Sequence, residues 1–302
     1  MNRVAWLINR LRVMTAREVL FRLQRALLQS VERYRVAAGW RPLPAADVRP
    51  ALALFGTDPA LMEAWQQSFR LDTDGLQDYL AGRIDFFGHG ALEVGEPVAW
   101  QRDPVTGTGA PREFGKSIDY RNDRLVGNIK FTWELGRHQH LVSLAVAYAV
   151  SGETRYRNAV VEQVEGWIED NPFAIGIHWC SALEVSLRLV SWALVHSLMV
   201  LRDGEAGLFA VVRNPRQLGI SIYQQAYFVR HFLSRHSSAN NHLIGELCGL
   251  WVACQTFDLG PAGQAWGELA HAELEREAKL QVHADGVDRE QAGYYHLWVL
   301  EY

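Results

Sequence analysis

The sequence predicts an all-α protein: an incomplete α/α toroid built from helical hairpins, with an irregular segment rich in aromatics, glycine and proline before it. Three observations carry that prediction. From Phe131 onward, apolar residues recur at helical spacing in one segment after another, with short polar turns between them. Several segments are apolar around most of their circumference. Residues 182–200 (A-L-E-V-S-L-R-L-V-S-W-A-L-V-H-S-L-M-V) are the clearest case. All-round apolarity requires burial from both sides, as in an inner ring of helices clothed by an outer one. Strand-like alternation is scarce, and no strict repeat period favours a plain solenoid.

The elements follow in order. Residues 3–38 read as one long helix, stopped by Gly39-Trp40-Arg41-Pro42. Residues 1–41 carry nine arginines against Glu18 and Glu32, a local charge of about +7 in a chain of net charge −4. A basic amphipathic segment can lie on an anionic membrane or grip an acidic partner. The commoner arrangement is a surface helix with solvated arginines, its modest stripe (V-x-x-L-x-x-R-L, residues 4–11) docked on the domain. Pro42, Pro44 and Pro50 then mark a linker, and a short helix is expected around 58–69 with Pro59 in its first turn.

Residues 84–118 turn to glycine, proline and aromatics, an irregular or short-stranded stretch of the kind that is usually functional when long. Helices are then expected over 133–150, 154–168, 181–201, 215–232, 240–257, 261–284 and from 289 to 302. Ser151-Gly152, Asn171-Pro172 and Arg202-Asp203-Gly204 are the clearest stops. The domain organisation is thus a basic lead-in helix (1–41), a linker with short helices and the irregular segment (42–118), and the helical toroid (119–302).

Composition excludes several classes. A pI near 6.3 gives no global attraction to nucleic acid. Cys180, Cys248 and Cys254 form no C-x-x-C and sit in apolar surroundings, which suits buried thiols better than a disulfide frame or a zinc site. No phosphate-cradling glycine loop is present, and neither cofactor nor metal is expected of this chain. Asn9, Arg10 and Arg12 break the apolar run W-L-I-N-R-L-R-V-M, unlike a secretory leader. With no run of about 18 apolar residues either, a soluble chain is expected, cytoplasmic by default.

Three helix starts share a character. Trp133, Glu134 and Arg137 open one; Trp179, Glu184 and Arg188 the second; Asn240, Asn241 and His242, with Glu246, the third. Glu134 and Arg137 are spaced i, i+3, and Glu184 and Arg188 i, i+4, so each pair shares a helix face. Charges in apolar helices must be paired or solvated. One reading is helix-locking ion pairs. The other is the rim of a sugar-binding cleft, with Trp133 and Trp179 as stacking platforms. Downstream lies D-G-V-D-R-E-Q-A-G-Y-Y-H (285–296), with Tyr294 and Tyr295. An amide and an imidazole at one place and a tyrosine pair at another can take a proton from beside a carboxylate, the chemistry of β-elimination on an acidic sugar.

The stretches N-I-K-F-T-W-E-L-G-R-H-Q-H-L-V-S-L-A-V-A-Y-A-V-S-G-E-T-R-Y and W-I-E-D-N-P-F-A-I-G-I-H-W-C-S-A-L-E-V-S-L-R-L-V-S-W resemble the N-terminal helical domain of heparinase II/III-like polysaccharide lyases. So, in the same order, do S-S-A-N-N-H-L and D-G-V-D-R-E-Q-A-G-Y-Y-H. The resemblance runs from about residue 86 to 302. It implies an α/α toroid followed by an antiparallel β-sandwich, cutting uronic-acid polysaccharides such as heparan sulfate, alginate or a bacterial exopolysaccharide by β-elimination. It also implies roles. Asn241, helped by His242, would hold the uronate carboxylate and so acidify the C5 proton. Tyr295, with Tyr294 beside it, would exchange a proton at the glycosidic oxygen. Gln291 or Glu290 would orient the substrate.

No sandwich follows within these 302 residues, so the chain is expected to be a fragment or to need a missing half, and to be a poor enzyme alone. Relatives working outside the cytoplasm make the periplasm the other compartment. The partner expected is an anionic polysaccharide. Two alternatives stand beside the lyase: a non-catalytic acidic-glycan-binding or exopolysaccharide-assembly protein, and a glycoside hydrolase using Glu134 and Glu184.

Overall fold

A computed structural model describes residues 14–56, 59–68, 70–204, 206–287 and 289. It is mainly helical: α1 (Ala16–Ala37), α2 (Pro59–Ser68), α3 (Thr73–Leu80), α4 (Asp123–Val126), α5 (Ile129–Gly136), α6 (Gln139–Ser151), α7 (Thr154–Asp170), α8 (Ala182–Asp203), α9 (Gly207–Val211), α10 (Pro215–Phe232), α11 (Asn241–Thr256) and α12 (Gly260–Gln281). Two small antiparallel ribbons complete it. β2 (Arg83–Asp85) pairs with β3 (Ala91–Glu93), and β1 (Arg49–Pro50) reaches across the chain to β4 (Phe257–Asp258).

The helices start where local chemistry lets them. The Asn214 side chain accepts the Gln217 amide with Pro215 in the first turn, and Asn240 accepts the His242 amide. Two expectations need correction. The described part of the lead-in helix begins only at Ala16, capped by Thr15; the stripe over 4–11 lies outside the described residues. The single helix expected over 133–150 is two, because His138 sits in the left-handed region (φ 63°) and turns the chain between α5 and α6. The short helix α3, capped by Asp72, was not foreseen.

Side-chain contacts define two layers. Arg188 meets the Gly136 carbonyl at 3.0 Å, Trp192 meets His138 at 2.8 Å, and Arg202 lies 3.5 Å from the Ala149 carbonyl. α8 therefore runs parallel to α6. Ser186 meets the Glu246 carbonyl at 3.3 Å while His196 lies against Phe257 (5.5 Å), so α11 runs parallel to α8 as well. α7, α10 and α12 return between them: α7 packs on α6, α10 on α8, and α12 on α11. This is an incomplete α/α toroid with α6, α8 and α11 as its inner layer.

α8 lies at the centre and is buried along nearly its whole length. Contrary to the expectation above, it is long and apolar enough by composition to cross a membrane. Its apolar window is nevertheless 89% buried by neighbouring protein, as a core helix requires. Val48, Leu76, Phe86, Trp100 and Phe114, from the segment before the toroid, join the same hydrophobic core.

Candidate functional site

Because α6, α8 and α11 are parallel, their starts gather at one end of the inner layer. Each start leaves backbone N–H groups without intrahelical partners and carries the positive end of a helix dipole. Three such ends side by side favour an anion. The candidate residues sit there: Glu134 and Arg137 just before α6, Glu184 in the first turn of α8, and Asn241 and His242 in the first turn of α11.

Arg137 ties two of these starts together. Its Nε lies 2.7 Å from Glu184 Oε2, its Nη2 3.3 Å from Glu184 Oε1, and its Nη1 2.6 Å from Glu134 Oε2. Burial is the largest effect on Glu134, raising its pKa against the opposing pull of Arg137. Two carboxylates sharing one arginine make an ion triad, and this disfavours reading them as a hydrolase pair. Trp133 is half-buried and packs against Tyr120 at 5.1 Å, leaving part of the indole open. Asn241 is almost fully buried, and His242 beside it is exposed.

Two of the expected binding residues are not at the rim. Trp179 is buried edge-on against Phe173 (5.2 Å) and Phe228 (5.3 Å), so it is no platform for a sugar. Arg188 is wholly buried. Its guanidinium lies over the Trp167 ring at 4.1 Å and donates to Gln225 and to the Gly136 carbonyl. It does not partner Glu184 in the way the i, i+4 spacing suggested, because Arg137 takes that carboxylate. Burial draws the Arg188 pKa down to about 9, partly offset by nearby Glu184. Both residues belong to the aromatic centre around Trp100, Trp167, Trp192 and His138. Glu290, Gln291, Tyr294 and Tyr295 lie outside the described residues.

Sequence reasoning missed Lys116. Its ammonium donates to the Cys180 carbonyl at 2.9 Å, immediately before α8, and lies over Phe232 at 5.4 Å. It also faces Glu246, whose carboxylate accepts from the Ser234 amide (2.5 Å) and hydroxyl (2.8 Å). Burial pushes Glu246 up to about 7 against those hydrogen bonds and against Lys116 and Arg25. Lys116 thus links the starts of α8 and α11. F-G-K-S within an irregular stretch offers no periodic signal from which to infer this. The cysteines are free thiols, with Cys180 and Cys248 buried. Burial raises Cys180 and Cys254 to about 12.

Two clefts open elsewhere. One of about 880 Å³ lies between the 94–112 segment and α7, and one of about 640 Å³ between α7 and the start of α10. None of the candidate residues among the described ones lines either of them.

The architecture is that of a helical toroid domain whose inner-helix starts converge on an anion-favouring end. Residues 73–302 match the family model of the heparinase II/III N-terminus, and the chain belongs to that family. It is 26% identical over 220 residues to a heparin-sulfate lyase of Pedobacter heparinus, spanning 71% of this chain and 29% of that protein. A heparin-sulfate lyase of Bacteroides thetaiotaomicron is 27% identical over 173 residues, spanning 55% of this chain and 23% of that one. Among solved structures, the heparan sulfate lyase HepC from Pedobacter heparinus superposes with a TM-score of 0.54 at 21% identity, over 90% of this chain and 37% of that one. A heparinase III structure gives 0.55 at 21% identity, over 80% and 39%. These likenesses establish the fold. The chain spans less than a third of the length of the curated relatives named here.

Proposed function

We propose that this chain supplies the helical domain of a polysaccharide lyase that acts on a heparan-like, uronate-containing polyanion by β-elimination. The observation that carries the reading is the convergence of three parallel helix starts at the end bearing Asn241 and His242, in a chain of the heparinase II/III N-terminal family. An amide donor at such an end suits a uronate carboxylate, and because Asn241 is only 2% exposed the reading requires that binding uncover it. Muting that charge acidifies the neighbouring C5 proton, and the gain is largest as the carbanion develops. Tyr295, with Tyr294 beside it, is proposed to take the C5 proton as base and return it to the glycosidic oxygen as acid, the C4–O bond breaking as the C4–C5 double bond forms. Exposed His242 is proposed to help Asn241 hold the carboxylate, and half-open Trp133 is the proposed platform for a flanking sugar. Glu290 and Gln291 are proposed to orient the substrate.

The test has two parts. Heparan sulfate oligosaccharides should bind this chain saturably, with an affinity that falls as salt rises and is lost in Asn241→Ala. Failure to bind, or binding indifferent to that substitution, would overturn the reading. The polypeptide, with any continuation its gene encodes, should then generate the ultraviolet absorbance of an unsaturated uronate. Tyr295→Phe should abolish that signal while preserving binding. Binding without cleavage, with alginate and exopolysaccharides also tried, would favour the non-catalytic acidic-glycan-binding alternative.

A further inference from the structure

The helix α1 is turned the opposite way from an ordinary surface helix. Its body-facing side holds both of its glutamates together with Arg22 and Arg25. Glu18 bonds Arg22 and the Ser237 hydroxyl (2.6 Å), Arg25 reaches the carbonyls of His231 and Leu233, and Glu32 accepts from Tyr227 at 3.1 Å. Its outward side carries Leu20, Leu23, Leu27, Val31 and Tyr34, with exposures of 57%, 65%, 66%, 42% and 77%. Steps of three and four residues align these five into one stripe along the helix. Contiguous exposed apolar surface of this kind marks an interaction site.

Charge selects the occupant. The helix has five arginines and two glutamates, and both glutamates are buried against the body. Exposed Arg17 and Arg35 border the stripe on one side, Arg35 also pairing with Glu32 at 3.3 Å and lying over Trp40, while exposed Arg33 sits nearer the body on the other flank. A second copy of α1 laid against this face would bring arginines against arginines with no acid to meet them. An anionic lipid surface meets Arg17 and the outer face of Arg35 while the leucines enter the boundary between headgroups and acyl chains.

We infer that α1 is an interfacial membrane helix, docking this chain on anionic lipid through the stripe from Leu20 to Tyr34. This inference is independent of the lyase reading. It is tested by flotation of the purified chain with vesicles of phosphatidylcholine, with and without one quarter phosphatidylglycerol. The expected result is association with the anionic vesicles stronger by roughly tenfold or more, weakened by salt.

Leu20→Gln, Leu23→Gln and Leu27→Gln together replace exposed side chains, so helicity by circular dichroism should hold. Association should nevertheless fall by roughly tenfold. Arg17→Gln with Arg35→Gln should reduce the preference for anionic lipid. The inference is overturned if the wild-type chain ignores anionic vesicles, or if the triple leucine variant binds them undiminished. A concentration-dependent dimer that the triple variant abolishes would overturn it too, assigning the stripe to a second copy.

Discussion

The Nε of Arg137 lies 2.7 Å from Oε2 of Glu184, joining the end of α5 to the first turn of α8. The Glu184 side chain is 4% exposed and that of Arg137 18%, so water screens this pair far less than a surface bridge. Glu184→Ala takes the more buried carboxylate away from Arg137 and leaves Glu134 beside it. Discounting the buried-pair cost for the partial exposure of Arg137, the expected loss is about 2–3 kcal/mol of stability. Glu134, with 22% exposure and a single contact, should cost about 1 kcal/mol when replaced by alanine. Urea unfolding of the two variants measures the ranking, and equal losses would refute it.

Arg188 should behave as a strut rather than a ligand. A lysine there cannot stack on Trp167 while also reaching Gln225 and the Gly136 carbonyl. Arg188→Lys is expected to cost about 2 kcal/mol or more. The affinity of the folded protein for heparan oligosaccharides should be unaltered. Titration calorimetry below the unfolding range checks this, and a large fall in affinity at unchanged stability would return Arg188 to the binding face.

Glu246 gives a pH dependence of defined sign. Its folded pKa of about 7 lies above the ordinary 4.5, so the folded state holds the proton more tightly. The stability this contributes is full below pH 4.5 and is lost as pH rises towards about 7, by on the order of 3 kcal/mol. Glu246→Gln removes the ionisation. Relative to wild type, the variant should gain most above pH 7 and lose that advantage as pH falls to about 4.5. Urea midpoints across this range test it; a difference constant with pH would show that the carboxyl does not titrate there.

The buried histidines act in the opposite sense. Burial lowers His140 and His196 to about 4 and His178 to about 3, and His178 Nε2 donates to the Trp100 carbonyl at 2.7 Å. Their folded pKa values are depressed, so the stability from keeping them neutral is present above pH 6.5 and lost as pH falls towards 3–4. Steep acid unfolding should begin between about pH 5.5 and 4.5, one to two units below the ordinary histidine pKa. His196→Phe keeps the ring contacts with Phe209 and Phe257 and should shift the onset to lower pH. An unmoved onset would remove His196 from the set.

The helix ends were legible where a cap or a breaker is local: Asn214-Pro215 opens α10, and Gly204 closes α8. The break at His138 was not. The left-handed turn is held by the Trp192 indole, 54 residues away in sequence, and by packing against Trp100 and Trp167. The same limit governed the site. Spacing showed that Glu184 and Arg188 share a helix face, but not that Arg137 would claim the glutamate. Nor did it show that Gln225 and Gly136, 37 and 52 residues distant, would claim the arginine. Eleven tryptophans suggested sugar platforms, whereas Trp167, Trp179 and Trp192 fill the core. Composition supplies aromatic surface without saying which way it points.

The placement of Asn241 beside the start of α8 depends on how closely α11 approaches that helix, and Gly249 sets that approach. A methyl group there would stand 2.6 Å from the Ser186 carbonyl oxygen and 2.7 Å from its Cβ, both nearer than packed atoms allow. One obstacle is backbone within the most buried helix of the fold, so no side-chain rotation relieves it. In an isolated helix alanine would be the better residue, by about 1 kcal/mol. Here the helices must separate instead, at an overpacking cost of about 1–3 kcal/mol. Gly249→Ala should therefore lower the urea midpoint despite its higher helix propensity. It should also weaken heparan binding, because the separated helices carry their starts with them. A stabilised variant with intact binding would show that α8 and α11 do not pack through this contact.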